Sequence, residues 1–200
     1  MILFQSDNLT EEPLIKINEW LQEAIKSDVT LPHAMNLSTV DSFGQPTSRI
    51  VLLKSLTDEG IIFYTDYNSH KGQQLEKNPK AALNFWWAAT AKQIRIEGVC
   101  FKNSSNEADS YFQSRPRGSQ ISATVSRQSE KIESYKTLVR NAKQLEENSM
   151  GKAIKRPERW GGFKLSPSRI EFWVNESNRL HRREVFSLHS NVWNKILLSP

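Results

Sequence analysis

The sequence predicts a mainly β fold, an antiparallel barrel with flanking helices. About eight short apolar or alternating segments recur at hairpin spacing, separated by turn residues. Helical periodicity is confined to a few stretches between them, so βαβ repeats are not expected. No GxGxxG run and no GxxxxGK run followed by Ser or Thr occurs, which weighs against Rossmann and P-loop sites.

Residues Thr10 to Ser27 open with a helix signature. Thr10 can cap, Glu11 and Glu12 suit the first turn and Pro13 fits near a helix start. Leu14, Ile17, Leu21, Ala24 and Ile25 form one apolar stripe. The period then shortens. Ala34–Val40 reads as a strand, and the turn residues Asp41 to Gly44 follow. Pro46–Leu56 reads as the next strand, its run Ile50-Val51-Leu52-Leu53 suiting burial on both faces. Asp58 to Gly60 makes a second hairpin turn before a strand at Ile61–Thr65. Ser69 caps a short helix that stops at Asn78-Pro79. Strands are expected at Ala81–Trp87 and Gln93–Phe101, and a helix at Glu107–Ser114 that Arg115 to Gly118 breaks. Glu130–Glu147 reads as a longer helix capped by Ser129, and Ser149–Arg159 as a polar, basic linker. Four strands follow, near Gly162–Leu165, Arg169–Val174, Glu184–Leu188 and Val192–Leu198, the first two around a Pro turn.

Two hundred residues fit one domain with a substantial core. The expected division is residues 1–30 as an N-terminal helical segment and 160–200 as C-terminal strands that complete the site. The net charge of +5 leaves a nucleic acid, a membrane surface or a phosphorylated small molecule as partners, and its modest, scattered distribution weighs against nucleic acid. The single Cys100 excludes an intrachain disulfide and a cysteine-rich zinc site, and the four histidines lack metal-ligand spacing. The first residues have neither a basic stretch nor a long apolar core, and no run approaches a membrane span. Cytoplasmic location is the expectation.

Five motifs carry chemistry. Arg49-Ile-Val-Leu-Leu-Lys54 brackets an apolar strand with cations. Five residues apart in a strand means opposite faces, so each could meet its own anion, or each could simply sit at one mouth of a core strand. In Tyr64-Thr65-Asp66-Tyr67-Asn68-Ser69-His70-Lys71 a strand ends and a helix begins, and free N–H groups at a helix start favour phosphate. Tyr111 and Arg115 share a helix face, with Ser119 in the loop beyond, a donor set that suits phosphate. Ser126-Arg127-Gln128-Ser129 precedes the long helix. Lastly, Trp160 to Arg183 reads WGGFKLSPSRIEFWVNESNRLHRR and ends in four cationic or titratable groups within five positions. Charges crowded at a strand end call for an anionic or planar partner.

In order and spacing, from about Met35 to Pro200, these motifs resemble the pyridoxamine 5'-phosphate oxidase family. The resemblance implies a split β-barrel, FMN-binding and of Greek-key type, and a homodimer with FMN in its interface. It implies that Arg49 and Lys71 bind the FMN phosphate beside Tyr64, Thr65 and His70. The stretch Ile50, Val51, Leu52, Leu53 and Lys54 would run along the flavin. Gln93, Gln128, Ser129, Trp173 and Arg183 would complete the cofactor site, some from the partner subunit. Lys54, Tyr111, Arg115 and Ser119 would hold the substrate phosphate, with Arg179 and His181 flanking the pyridine ring as the catalytic pair. The implied activity oxidises pyridoxamine or pyridoxine 5'-phosphate to pyridoxal 5'-phosphate. The substrate gives a hydride to the flavin, and dioxygen is reduced to peroxide.

Three departures from the family pattern stand out. His70 replaces the usual Arg at the helix start, and Arg182 replaces the acidic residue between His181 and Arg183. The first residues, MILFQSDNL, lack the basic, Tyr-containing stretch that covers the substrate in many members. Two other readings share the fold: the related FMN oxidase of phenazine biosynthesis, and a non-catalytic flavin-binding module. Lys54, Arg115 and Ser119 argue against both, because they serve a substrate phosphate.

Overall fold

The computed structural model describes residues 4–6 and 9–200. In chain order the elements are β1 (Gln5–Ser6), α1 (Glu12–Lys26), β2 (Ala34–Val40), β3 (Pro46–Leu52), β4 (Ser55–Thr57), β5 (Gly60–Asp66), α2 (His70–Lys77), β6 (Lys80–Trp87) and β7 (Lys92–Lys102). Helices α3 (Ser105–Ser114), α4 (Arg117–Val125) and α5 (Tyr135–Asn148) follow, then β8 (Trp160–Val174), β9 (Arg182–His189) and β10 (Val192–Leu198). One sheet runs β1-β4-β5-β8-β7-β6-β2-β3, with β9 added to β8 and β10 to β9. Every pairing is antiparallel except that of β1 with β4. The sheet curls far enough that β3 and β5 approach each other.

The core is the inner face of this sheet, closed by α1. Leu14, Ile17, Leu21 and Ala24 of the helix stripe pack with Leu37, Phe63, Phe85, Ile94, Ile96, Leu165, Ile170 and Phe172, all buried. A smaller cluster of Phe112, Ile121, Ile154 and Trp160 lies under α3 and α4. Most expected strands and the first helix lie where alternation and periodicity put them.

The differences have physical causes. The strand expected over Pro46–Leu56 divides into β3 and β4. Of its apolar run only Leu53 is fully buried; Ile50 is 64% exposed, because β3 pairs only with β2 and shows its other side to solvent. Thr10 does not cap α1. Its amide and hydroxyl both donate to Asp58 in the β4–β5 turn, and Glu11 occupies the cap position. Arg115 to Gly118 ends α3 without ending helical structure, since Pro116 starts α4 directly. The long helix begins at Tyr135, capped by the Ser134 hydroxyl and not by Ser129; none of its residues is fully buried, and Ala142 and Leu145 pack on the smaller cluster. Pro167 makes no turn: β8 is one continuous strand with a register shift opposite Gly98. A bulge is where a strand tolerates proline.

Candidate active site

A cleft of about 1200 Å³ opens between β3, the end of β5, the start of α2, and α4 with the loop that follows it. It gathers fourteen of the predicted residues: Arg49, Ile50, Val51, Leu52, Lys54, Tyr64, Thr65, His70, Lys71, Tyr111, Arg115, Ser119, Gln128 and Ser129. Arg49 and Lys54 therefore do not serve opposite faces. The strand stops at Leu52, and the backbone change at Leu53–Lys54 returns Lys54 to the same cleft. Leu53 has its side chain in the core.

The Arg49 guanidinium is held by side chains that the sequence reading did not select. It donates to Thr39 Oγ1 at 2.5 Å and Thr47 Oγ1 at 2.7 Å, and reaches Gln74 Oε1 at 3.5 Å. Thr39 and Thr47 face each other in the β2–β3 register, and Gln74 lies one helical turn after His70. Those spacings were the available signal. Burial lowers the Arg49 pKa from its usual value.

Lys71 is almost fully buried. Its ammonium donates to Gln128 Oε1 at 2.8 Å, Thr65 Oγ1 at 3.2 Å and Ser69 Oγ at 3.3 Å. Burial first, and the nearby Arg49 charge second, bring its pKa down to about 8 against the pull of Asp66. The hydroxyl of Thr65 donates to Gln128 as well, at 2.9 Å. Ser129, with φ at 72°, turns its hydroxyl to accept from the His70 amide at 3.2 Å. The Ser126–Ser129 motif thus belongs to the mouth of α2, not to the long helix.

The second cationic pair is Lys54 with Arg115. Burial lowers both pKa values, and the Arg115 charge lowers Lys54 further. Arg115 lies over the Trp160 ring at 4.4 Å, and its Nη1 is buried without a partner among the described residues. A buried guanidinium nitrogen left unpaired is costly unless an anion completes it. Tyr111 stacks on Tyr64 at 3.9 Å, and Tyr64 on Trp160 at 5.3 Å, a wall that fixes both phenols. Burial pushes the Tyr64 hydroxyl up to about 12, so it remains a donor. From the first residues, Phe4 and Gln5 line the cleft, and the Gln5 amide donates to the Lys54 carbonyl at 3.0 Å.

The remaining predicted residues lie elsewhere. Gln93, Trp173 and Arg183 stand side by side across β7, β8 and β9, and the His181 ring packs on Trp173 at 4.5 Å. Arg183 donates to the fully buried Glu171 at 2.8 Å. Arg179 sits in a short 3-10 turn, Ser177–Arg179, with φ at 62°. None of these five lines the cleft.

A family profile described as pyridoxamine 5'-phosphate oxidase matches residues 21–149, and one described as the pyridoxine 5'-phosphate oxidase C-terminal dimerisation region matches residues 160–200. A pyridoxine/pyridoxamine 5'-phosphate oxidase from Synechocystis is 44% identical over 192 residues, covering 96% of this chain and 90% of its own. The same-named protein of Rubrobacter xylanophilus is 40% identical over 194 residues, covering 97% and 89%. Among solved structures, PhzG of Burkholderia lata, in complex with tetrahydrophenazine-1-carboxylic acid, superposes with a TM-score of 0.91 at 32% identity, covering 96% and 94%. A pyridoxamine 5'-phosphate oxidase-related, FMN-binding protein of Nostoc punctiforme gives 0.77 at 16% identity, covering 96% and 100%, which shows the split-barrel fold. With both profiles met in order and such identity along nearly its whole length, the chain belongs to the pyridoxamine 5'-phosphate oxidase family of flavin-dependent oxidoreductases.

Proposed function

We propose that the protein is an FMN-dependent oxidase that converts pyridoxamine or pyridoxine 5'-phosphate to pyridoxal 5'-phosphate with dioxygen as acceptor. The observation that carries this reading is one cleft with two pairs of desolvated cations, Arg49 with Lys71 and Lys54 with Arg115. Two phosphates, one on the cofactor and one on the substrate, fit two such pairs. The donor set suits the cofactor phosphate at Arg49 and Lys71, with the Thr65 and Ser69 hydroxyls accepting from the Lys71 ammonium and so holding it at the start of α2.

When bound, the flavin supplies the two-electron acceptor. The residues of this chain bind and orient. Lys54 and Arg115, with the Tyr111 and Ser119 hydroxyls, hold the substrate phosphate, and the stacked Tyr64–Tyr111–Trp160 wall fixes that end of the cleft. Holding the reacting carbon in one place makes the transfer effectively intramolecular, a large contribution to rate. Arg179 and His181, which do not line the cleft of their own chain, would act from a second copy across a homodimer interface. The match of residues 160–200 to a dimerisation region supports that arrangement. So do Ile50, Trp86 and Ile196, each more than half exposed on the sheet.

A second reading is favoured by the PhzG likeness: oxidation of a phenazine-type acid, since the ligand of that complex is a carboxylic acid without phosphate. The two are separated by one experiment. Purified protein should be yellow, release FMN on denaturation, elute as a dimer and produce peroxide with pyridoxine 5'-phosphate or pyridoxamine 5'-phosphate. Turnover of only a reduced phenazine carboxylic acid would favour the second reading. A colourless protein that takes up no FMN would overturn both.

A further inference from the structure

Arg182 is the charge that the family pattern does not account for, and the structure gives it a partner. The segment Asn175–His181 leaves β8 and returns to β9. Its first amide, Asn175, donates to the Ala91 carbonyl at 3.0 Å. Its middle residues Asn178 and Arg179 both have left-handed backbone, φ 55° and 62°. Two successive non-glycine residues in that region are strained and persist only where the surroundings hold them. Glu176 is what holds them. Its backbone amide donates to His181 Nδ1 at 3.2 Å, and its carboxylate accepts from Arg182 Nε at 2.7 Å. Both ends of the segment are thereby tied to one residue.

The consequence concerns His181. With Nδ1 accepting, the ring carries its proton on Nε2, and stacking on Trp173 fixes its plane. The Glu176 carboxylate also neutralises Arg182. Arg179, which makes no hydrogen bond or ion pair with any described residue, is left as the segment's free cation. We propose that Glu176 is a positioning residue. Its backbone amide sets the His181 tautomer, and its carboxylate compensates the cation that Arg182 brings next to Arg179 and His181. The proposal rests on reading Arg179 and His181 as the residues that face the substrate ring.

The test uses the FMN-loaded protein and three variants, Glu176→Gln, Arg182→Gln and the double. Both side chains are partly exposed, 39% and 73%, so the pair is worth a modest factor. Each single variant should raise the substrate KM about two- to fivefold, with kcat, FMN content and thermal midpoint unchanged. The double should be no worse than either single. Histidine-labelled protein should show His181 protonated on Nε2, with His181→Asn assigning the signal. Because the donor to Nδ1 is a backbone amide, all three variants should keep this tautomer, so that the change in KM reports the Glu176–Arg182 charge pair alone. Single effects that multiply in the double, a His181 proton on Nδ1 in the unaltered protein, or an unchanged KM in both single variants would each overturn the proposal. An unaltered protein without turnover would instead refute the oxidase reading, and the tautomer measurement would still decide this one.

Discussion

Glu171 of β8 lies with no solvent exposure against the guanidinium of Arg183 of β9, accepting from its Nε at 2.8 Å. Arg95 of β7 and Arg169 of β8 donate to the same carboxylate. Burial alone would raise the Glu171 pKa; the hydrogen bonds from Arg183 and Arg95, with Arg169 behind them, outweigh it and bring it to about 2. One buried carboxylate thus holds three cations on the sheet face that carries Gln93 and Trp173.

That arrangement has a pH signature. A carboxyl with a depressed folded-state pKa contributes stability that is present above the ordinary carboxylate range and lost as pH falls through it toward 2. The contribution is on the order of 3 kcal/mol. Glu171→Gln should lower the urea midpoint clearly at pH 7, and the gap to the unaltered protein should narrow by pH 3. A gap that stays constant with pH would show that charge is not the source.

Lys71 titrates in the opposite sense. Its pKa of about 8 without ligand means that it is cationic below pH 8 and loses its charge above it. A bound phosphate favours the charged form, so binding above pH 8 must take up a proton. FMN affinity, followed by flavin fluorescence, should be flat from pH 6 to 7.5 and weaken by up to about tenfold per pH unit above 8. Lys71→Met should bind more weakly and lose this slope.

Variants at Lys54 and Arg115 test the proposed partition between cofactor and substrate phosphates. Lys54→Ala and Arg115→Ala should each raise the KM for the phosphorylated substrate about 10- to 100-fold, the worth of one desolvated charge-assisted hydrogen bond. FMN content should be unaffected. Loss of flavin from Lys54→Ala, measured by absorbance after gel filtration, would mean that the partition between the two phosphates is drawn wrongly.

Gly72 makes the start of α2 possible. A Cβ there would stand 2.2 Å from the Tyr67 carbonyl oxygen, a backbone atom that cannot step aside. Gly72→Ala should displace the Asp66–Ser69 turn, costing about 1–3 kcal/mol, and should weaken FMN binding with it. A variant with full stability and full FMN affinity would contradict the tight approach.

The motifs and their chemical types could be read from residue order alone. Strands 34–40 and 192–198 were legible because alternation and flanking turns are local signals. Ser69 as the cap of α2 was legible for the same reason. Where local and distant partners compete, the reading failed. Ser129 looks like a helix cap, but its hydroxyl serves His70, 59 residues away. Thr10 looks like another cap and is taken by Asp58, 48 residues away. Ile50 reads as core and is exposed, because burial depends on which strand lies alongside, and β3 has only one neighbour.

The sequence by itself determined most of the strands and helices, though not α4, the division of β3 from β4 or the continuity of β8, together with the set of phosphate-suited side chains and the family to which they belong. Only the tertiary structure decided that Arg49, Lys54, Lys71 and Arg115 share one cleft, while Trp173, His181 and Arg183 stand outside it. It also supplied the holders: Thr39, Thr47 and Gln74 for Arg49, Gln128 for Lys71, Glu171 for Arg183 and Glu176 for His181. The reason is physical. Residue type and spacing fix what a side chain can donate or accept. Desolvation and partner choice depend on chain segments tens of residues apart, which meet only when the sheet closes over its core.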